Sequence, residues 1–459
     1  MINPVLLIAI PLLFAFLSVM FKKADKGLLT IAIFFNLIGA FLLKETEVII
    51  GGWKPPFGIN LVADQYSIFG LIVLNIVFAL TVFASFSSVK KYSTVLLVSL
   101  ASLNGLLLTG DLFNLFVFLE IASISGYILS TMTKKYKGTF NYIVLGALGS
   151  NLYLLGLIIL YATVGTLNMA DMATKVPMIN NNVLLLALTF IFAGFAVEAK
   201  LIPFNGWVKN VYGNVNDLSG GIFSSAYSTA FILVFGRIFT EVFQLSETLK
   251  VVFLTISVLT FIFAEAAAFE QKNIRKILAY SSVAQAGLAA TLLLFGFKEI
   301  AMMQILNNSL AKVVMFTIAG GIYLATGTDN LDKLNGLFKK QFLLGLGFTI
   351  SAMSLIGLPI FYGFYVKILS LTSIMKSGNY IVPILILLAA LIEGVYYIRM
   401  LVKLWNPKDG EVTGLKVEKC IKYALLGVIV GAFIIYISIN PQFVTEGMIN
   451  YLSKIAGGM

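Results

Sequence analysis

Fourteen apolar runs separated by short polar stretches account for nearly all of the chain. They fall at 4–21, 28–43, 66–86, 93–109, 112–131, 140–163, 182–202, 218–240, 250–268, 276–296, 300–324, 341–376, 380–404 and 421–440. A helix rises about 1.5 Å per residue, so roughly twenty apolar residues cross the hydrocarbon layer of a bilayer. Each run therefore predicts a transmembrane helix. The second is short, and the twelfth is too long for one straight helix. The longest polar stretches, around 44–65, 325–340 and 406–420, leave no room for a soluble domain. The pattern predicts an all-α polytopic membrane protein with a single integral domain over 1–459. The first run lacks a basic leader and a small-residue cleavage site, so it reads as a mature helix.

Composition agrees with lipid as the main solvent: 59% of residues are hydrophobic and 12% charged. It also removes chemistry. With no histidine and one cysteine, this chain by itself offers no His-ligated haem, zinc site, iron–sulfur cluster or Ser-His-Asp triad. No cofactor and no metal site are expected, and any redox step belongs to other chains. The net charge of +11 would suggest nucleic acid in a soluble protein. Here the basic residues alternate: loops after odd-numbered helices hold 21 of the 32 Lys and Arg, and loops after even-numbered helices hold 7. Lys22, Lys90, Lys134, Lys209, Arg275, Lys339 and Arg399 are on the rich side, and Lys454 is in the tail. By the positive-inside rule the rich side is cytoplasmic. Both termini then face outwards in the cell membrane, lipids surround the chain, and no nucleic-acid partner is implied.

Once the basic residues counted with the loops are set aside, seven charges remain inside apolar runs: Glu120, Glu198, Lys200, Glu265, Lys312, Lys367 and Glu393. Left unpaired, they would cost on the order of 20 kcal/mol even at the lenient 2.5–3.5 kcal/mol per residue. They must pair, meet water or lose their charge, and such residues are by default candidates for an ion path. Glu265, near a run's end, is open to an interfacial role. Glu393 has Arg399 six residues away as a local structural partner. Glu120 has no basic residue in its own run, so its partner must come from elsewhere. Proline breaks two runs, in KLIPFNGW (200–207) and GLPIFYGF (357–364), because Pro203 and Pro359 each lack a backbone donor. Each broken run is fourth in a set of five. Five is odd, so the sets cross the membrane in opposite senses, as in an inverted repeat with broken helices at mid-membrane. This divides the chain into helices 1–3 (1–90), repeat one (91–245), repeat two (246–405) and a last helix (420–440).

Four segments resemble the antiporter-like subunits shared by respiratory complex I, Mrp sodium/proton antiporters and membrane-bound hydrogenase or sulfane reductase complexes. They are DLFNLFVFLEIASISGYIL (111–129), NIRKILAYSSVAQAG (273–287), NNSLAKVVMFTIAGG (307–321) and GLPIFYGFYVK (357–367). The resemblance implies a fourteen-helix fold with two half-channels and a line of charged residues. Glu120 stands at the family's fifth-helix glutamate, Lys312 at its NHxxxKxxLF lysine, and Lys367 at the terminal lysine. The sequence departs from the family in repeat one. Glu198 occupies the position of the seventh-helix lysine, with Lys200 two residues later and about 200° round a regular helix. Ser228 or Thr229 stands where the family has a basic residue in helix eight, and Asn308 stands at a histidine. The expected ion path is Glu120, Glu198, Lys200, Lys312, Lys367 and Glu393. Pro203 is expected to turn Glu198 and Lys200 into one cavity, where Lys200 could also serve Glu120.

Three readings follow. The first is a proton-translocating subunit, with sodium coupling open, in a redox-driven assembly of other membrane subunits and a peripheral redox module. The second is a subunit of a stand-alone sodium/proton antiporter. The third is a structural spacer that has lost transport.

Overall fold

The computed structural model describes residues 2–89, 92–407 and 417–441. Lys90 and Lys454, counted above for topology, lie outside the described residues. All fourteen apolar runs form helices. These are α1 (Leu6–Met20), α2 (Asp25–Leu42), α3 (Gln65–Ala84), α4 (Ser93–Leu108), α5 (Leu112–Ser130), α6 (Tyr136–Val164), α7 (Asn181–Glu198) and α8 (Asp217–Val242), then α9 (Glu247–Phe269), α10 (Ile274–Leu294) and α11 (Lys298–Thr326). The twelfth run gives two helices, α12 (Phe342–Ile356) and α13 (Tyr362–Lys376), and α14 (Ile381–Trp405) and α15 (Val417–Ile439) follow. The 44–65 stretch is not plain loop: β1 (Thr46–Ile49) and β2 (Asn60–Ala63) pair antiparallel, with Thr46 opposite Ala63.

The two breaks have different local causes. After Ile356 the chain enters Gly357 at φ +77°, a left-handed position that closes a helix at little cost only for glycine. α13 then returns so closely that Gly363 lies against the Ser354 carbonyl. At the other break α7 ends at Glu198, and Lys200 itself takes φ +64°. The freed backbone groups find side chains: the Trp207 indole donates to the Val197 carbonyl at 3.1 Å, and Ile202 N–H donates to Thr260 Oγ1 at 3.0 Å. Irregular backbone survives at this depth because protein supplies these partners.

A repeat is visible in hydrogen bonds as well as in helix order. α6 and α11 each have 29 residues and each end at a left-handed glycine, Gly165 and Gly327. GTLN (165–168) and GTDN (327–330) follow. Leu112 N–H donates to the Leu167 carbonyl at 2.8 Å and Ile274 N–H to the Asp329 carbonyl at 2.9 Å. Asp111 bridges Asn168 as Asn273 bridges Asn330. The middle residue of α11 is Lys312, and that of α6 is Ser150, so the two sets share a backbone plan and differ in their central charge.

α8 and α10 are the innermost helices. All of α8's span and 94% of α10's are buried. Large apolar side chains on α1, α2, α6 and α14, including Phe16, Ile31, Phe140 and Leu391, are exposed. That is the expected surface of a chain solvated by lipid.

At the end of the molecule that carries β1 and β2, Arg237 reaches from α8 to Asp64 at 2.7 Å and to the Leu107 carbonyl at 3.1 Å. Asp64 caps α3 through Ser67 N–H at 2.7 Å. Burial pushes the Asp64 carboxyl up, but the Arg237 guanidinium and the Ser67 donors outweigh it and hold it below its usual value. A carboxylate whose folded pKa is depressed stabilises the fold at pH above its unfolded value and loses that contribution as pH falls through the folded one. The expected result is that wild type melts higher than Asp64→Asn at neutral pH and that the gap closes on acidification below about pH 4. Melting of detergent-solubilised protein at a series of pH values checks this; a gap unchanged by acid would refute it.

Candidate ion path

Repeat one brings Glu198 and Lys200 inside, facing different partners. Glu198, on the last turn of α7, accepts from Ser123 Oγ of α5 at 3.0 Å and from Tyr142 Oη of α6 at 3.1 Å. The Tyr142 ring is held in place by stacking on Trp207 at 3.8 Å. The left-handed turn at Lys200 swings its side chain inwards, undoing the 200° offset of a regular helix. Its Nζ donates to Ser228 Oγ of α8 at 2.7 Å and lies 5.2 Å from the Tyr212 ring centre. Both residues are buried. Among the described residues no ion pair joins them, although each is within electrostatic reach of the other. Each looks towards the helix that faces it.

Glu120 also departs from expectation. It is half-buried, and among the described residues no ion pair or hydrogen bond joins it to Lys200. It shares a helix face with exposed Phe113, Val117, Ile124 and Ile128, the recurrence expected for one side of a helix. It is within electrostatic reach of Glu198, a like charge.

Repeat two is more tightly joined. Lys312, at the centre of α11, donates to Ser281 Oγ of α10 at 2.6 Å and to Tyr397 Oη of α14 at 3.0 Å. Lys367 of α13 donates to Glu393 Oε2 of α14 at 2.7 Å and to the Ile356 carbonyl at 2.8 Å. The last carbonyls of a helix lack intrahelical donors; here Lys367 serves one of them and a carboxylate together. Gln285 Nε2 donates to Glu393 Oε1 at 2.9 Å, and Gln285 Oε1 accepts from Gln304 Nε2. Arg399 is not the partner of Glu393: it donates to the Phe269 and Gln271 carbonyls. Nor is Glu265 interfacial. It is fully buried and accepts from Tyr396 Oη at 2.8 Å. It is within electrostatic reach of Glu393, Lys367 and Lys312, so the structure brings to the cluster an acid that the path expected from the sequence left out.

The halves meet at a cavity of about 10 Å³ lined by Ser228, Thr229, Gln285, Gln304, Asn308 and Ser309, room for about one water. Ser228 is the partner of Lys200, and Gln285 is the partner of Glu393. Thr229 and Ser309 share a hydrogen bond of 2.6 Å, and the Asn308 carbonyl oxygen is buried without a partner. Polar side chains thus run from Glu198 and Lys200 through this cavity to Glu393 and Lys367. No group of His, Cys, Asp and Glu among the described residues could hold a metal ion. The carboxylates and amines in such a line can take and release protons, and the hydroxyls and amides can hold a water between them.

A family model described as NADH:quinone oxidoreductase/Mrp antiporter, transmembrane, matches residues 109–393, from the end of α4 to Glu393. The chain belongs to that family. This antiporter-like subunit is 33% identical to NADH-quinone oxidoreductase subunit N of Desulforudis audaxviator over 79% of its own length and 78% of the relative's. It is 32% identical to the D-type subunit of the Na(+)/H(+) antiporter of Alkalihalophilus pseudofirmus, covering 74% and 72%. A chain of the membrane-bound sulfane sulfur reductase, an archaeal respiratory membrane complex, has 30% identity and a TM-score of 0.89 over 98% of this chain and 99% of that one. The relatives are subunits of multi-subunit membrane complexes, and this subunit is a multi-pass membrane protein of the same kind.

Proposed function

We propose that this subunit carries protons across the cell membrane in a redox-driven complex, along Glu198, Lys200, Lys312, Glu393 and Lys367. The observation that carries the reading is the buried polar line on α7, α8, α10, α11, α13 and α14. Five charged side chains are buried there, a costly arrangement in lipid unless it is used. Electrons are handled by a peripheral redox module of other chains, since this one holds no redox ligand. Likeness over nearly the full length to a sulfane reductase chain supports the redox-driven reading. Likeness to a sodium/proton antiporter subunit supports exchange of protons for sodium, without redox input, as the second reading.

The proposal includes the division into repeats at 91–245 and 246–405, odd-numbered loops in the cytoplasm and both termini outside. Glu120, on an exposed apolar face, needs a neighbouring membrane subunit to cover it and supply a donor. Loss of transport as a spacer is disfavoured by the buried lysines and acids of repeat two.

Lys312→Ala is expected to cut proton translocation by about a hundredfold, the effect of losing one positioned acid–base group. Acidification of proteoliposomes holding the intact complex reads this, energised once by electron donor and once by a sodium gradient. Wild-type rates in the variant would overturn the path. Transport driven by sodium alone would select the second reading.

A further inference from the structure

Two buried carboxyl groups lie within electrostatic reach of Lys312, Glu393 and Glu265, and their oxygens are used differently. Glu393 has both engaged: Oε2 accepts from Lys367 and Oε1 from Gln285. Glu265 has only one engaged. Its Oε2 accepts from Tyr396 Oη, and its Oε1 is buried with no hydrogen-bond partner among the described residues. An unpartnered buried oxygen costs more on a charged group than on a neutral one, so a proton added to Glu265 relieves that cost. A line of buried hydroxyls joins this acid to Lys312. Lys312 Nζ donates to Ser281 Oγ at 2.6 Å and to Tyr397 Oη at 3.0 Å, and those two hydroxyls share a hydrogen bond of 2.9 Å. The Tyr396 hydroxyl, which holds Glu265, interacts with both Ser281 and Tyr397. The two tyrosine rings are consecutive on α14, with centres 4.6 Å apart. Among the described residues, none of the three hydroxyls is tied to a backbone carbonyl. One turn beyond Tyr396, Arg399 donates to the Phe269 and Gln271 carbonyls, which fastens the helix of the tyrosines to the helix of the acid.

We propose that Glu265 is a proton-holding site for Lys312. It takes the Lys312 proton through Ser281 or Tyr397 and then Tyr396, and keeps it while Lys367 and Gln285 occupy Glu393. The proposal rests on Lys312 being a proton carrier. The Lys312 ammonium gives a proton to the Ser281 or Tyr397 oxygen, whose own proton passes to the Tyr396 oxygen. Tyr396 gives its proton to Glu265 Oε2. The amine is left neutral, the carboxylate becomes the acid, and each hydroxyl ends with the one O–H it began with. The same steps in reverse return the proton to Lys312 when Glu393 is free to receive it.

The test is proton pumping by the reconstituted complex with Glu265→Gln, Tyr396→Phe and Lys312→Ala, each scored for subunit assembly and melting. Glu265→Gln keeps the size and an oxygen for Tyr396 but cannot ionise, and Tyr396→Phe cuts the line while leaving the carboxyl. Each is expected to slow pumping by about tenfold or more. Infrared difference spectra between the resting and the pumping complex read the site directly. Wild type should show a carboxylic-acid C=O band that Glu265→Asp shifts and Glu265→Gln removes. Tyr396→Phe should remove it too, with the carboxyl still present, which a mere anchor for α14 would not require. Normal pumping by Glu265→Gln or by Tyr396→Phe would overturn the holding site. So would difference spectra with no band that responds to Glu265→Asp, a result that decides the matter even if Glu265→Gln does not assemble. Normal pumping by Lys312→Ala would instead sink the reading on which the holding site rests.

Discussion

Lys367→Ala should stop proton translocation and destabilise the protein, while Lys367→Met combined with Glu393→Gln should recover most of the stability and none of the transport. Lys367 and Glu393 are 2.7 Å apart, with side chains 11% and 0% exposed. Removing one member of a buried pair strands the other charge, which typically costs about 3–5 kcal/mol. Replacing both with neutral groups of similar size removes the stranded charge, and such swaps are often close to neutral. Gln at 393 still accepts from Gln285. The Ile356 carbonyl loses its donor in both variants, a cost of about 0.5–1.5 kcal/mol. Thermal melting in detergent and pumping in proteoliposomes measure the two effects separately. If the single variant melts like wild type, the pair is not contributing to the fold. If the double variant pumps, the path does not run through it.

Gly363→Ala should prevent assembly altogether. A Cβ at 363 would sit 1.8 Å from the Ser354 carbonyl oxygen and 2.9 Å from Asn307 Nδ2. The first neighbour is backbone of α12, so no rotamer change relieves it; α13 must move away from α12. That shift also pulls Lys367 from the Ile356 carbonyl. The cost should exceed the roughly 1–3 kcal/mol usual for an overpacked core. Gly394→Ala is the control, since a Cβ there meets nothing nearer than 3.7 Å although its neighbour is Glu393. Size-exclusion profiles of the extracted complex should show Gly394→Ala assembled and Gly363→Ala absent or aggregated. A monodisperse Gly363→Ala complex would mean that the two helices tolerate separation.

Much of this is readable along the chain, for a local reason. A run long and apolar enough to cross lipid declares itself residue by residue, so all fourteen spans are legible, including the break in the twelfth. The G-T-x-N recurrence at 165–168 and 327–330 is equally present in the sequence, and with it the equivalence of Ser150 and Lys312. It stays hidden in the pattern of apolar runs because those four residues lie in turns and carry no hydropathy signal. The hairpin at β1 and β2 is hidden too, in a polar stretch too short to show alternation on a buried face.

The amino-acid sequence by itself determined the membrane-spanning class, the spans, the two points of breakage and the presence of seven charges in apolar surroundings. The tertiary structure alone decided who meets whom. Which way a side chain points depends on rotation of its helix about its own axis, and packing against distant helices sets that rotation. So Glu393 finds Lys367 of a neighbouring helix rather than Arg399 on its own. Glu265 is buried because α14 lies over it, and Glu120 stays at the periphery although its sequence neighbours match the family. Lys200 points inwards through one left-handed residue, a conformation costly for a side chain with a Cβ. No local propensity calls for it; only the surrounding helices, by supplying Ser228 at the right distance, make it the stable choice.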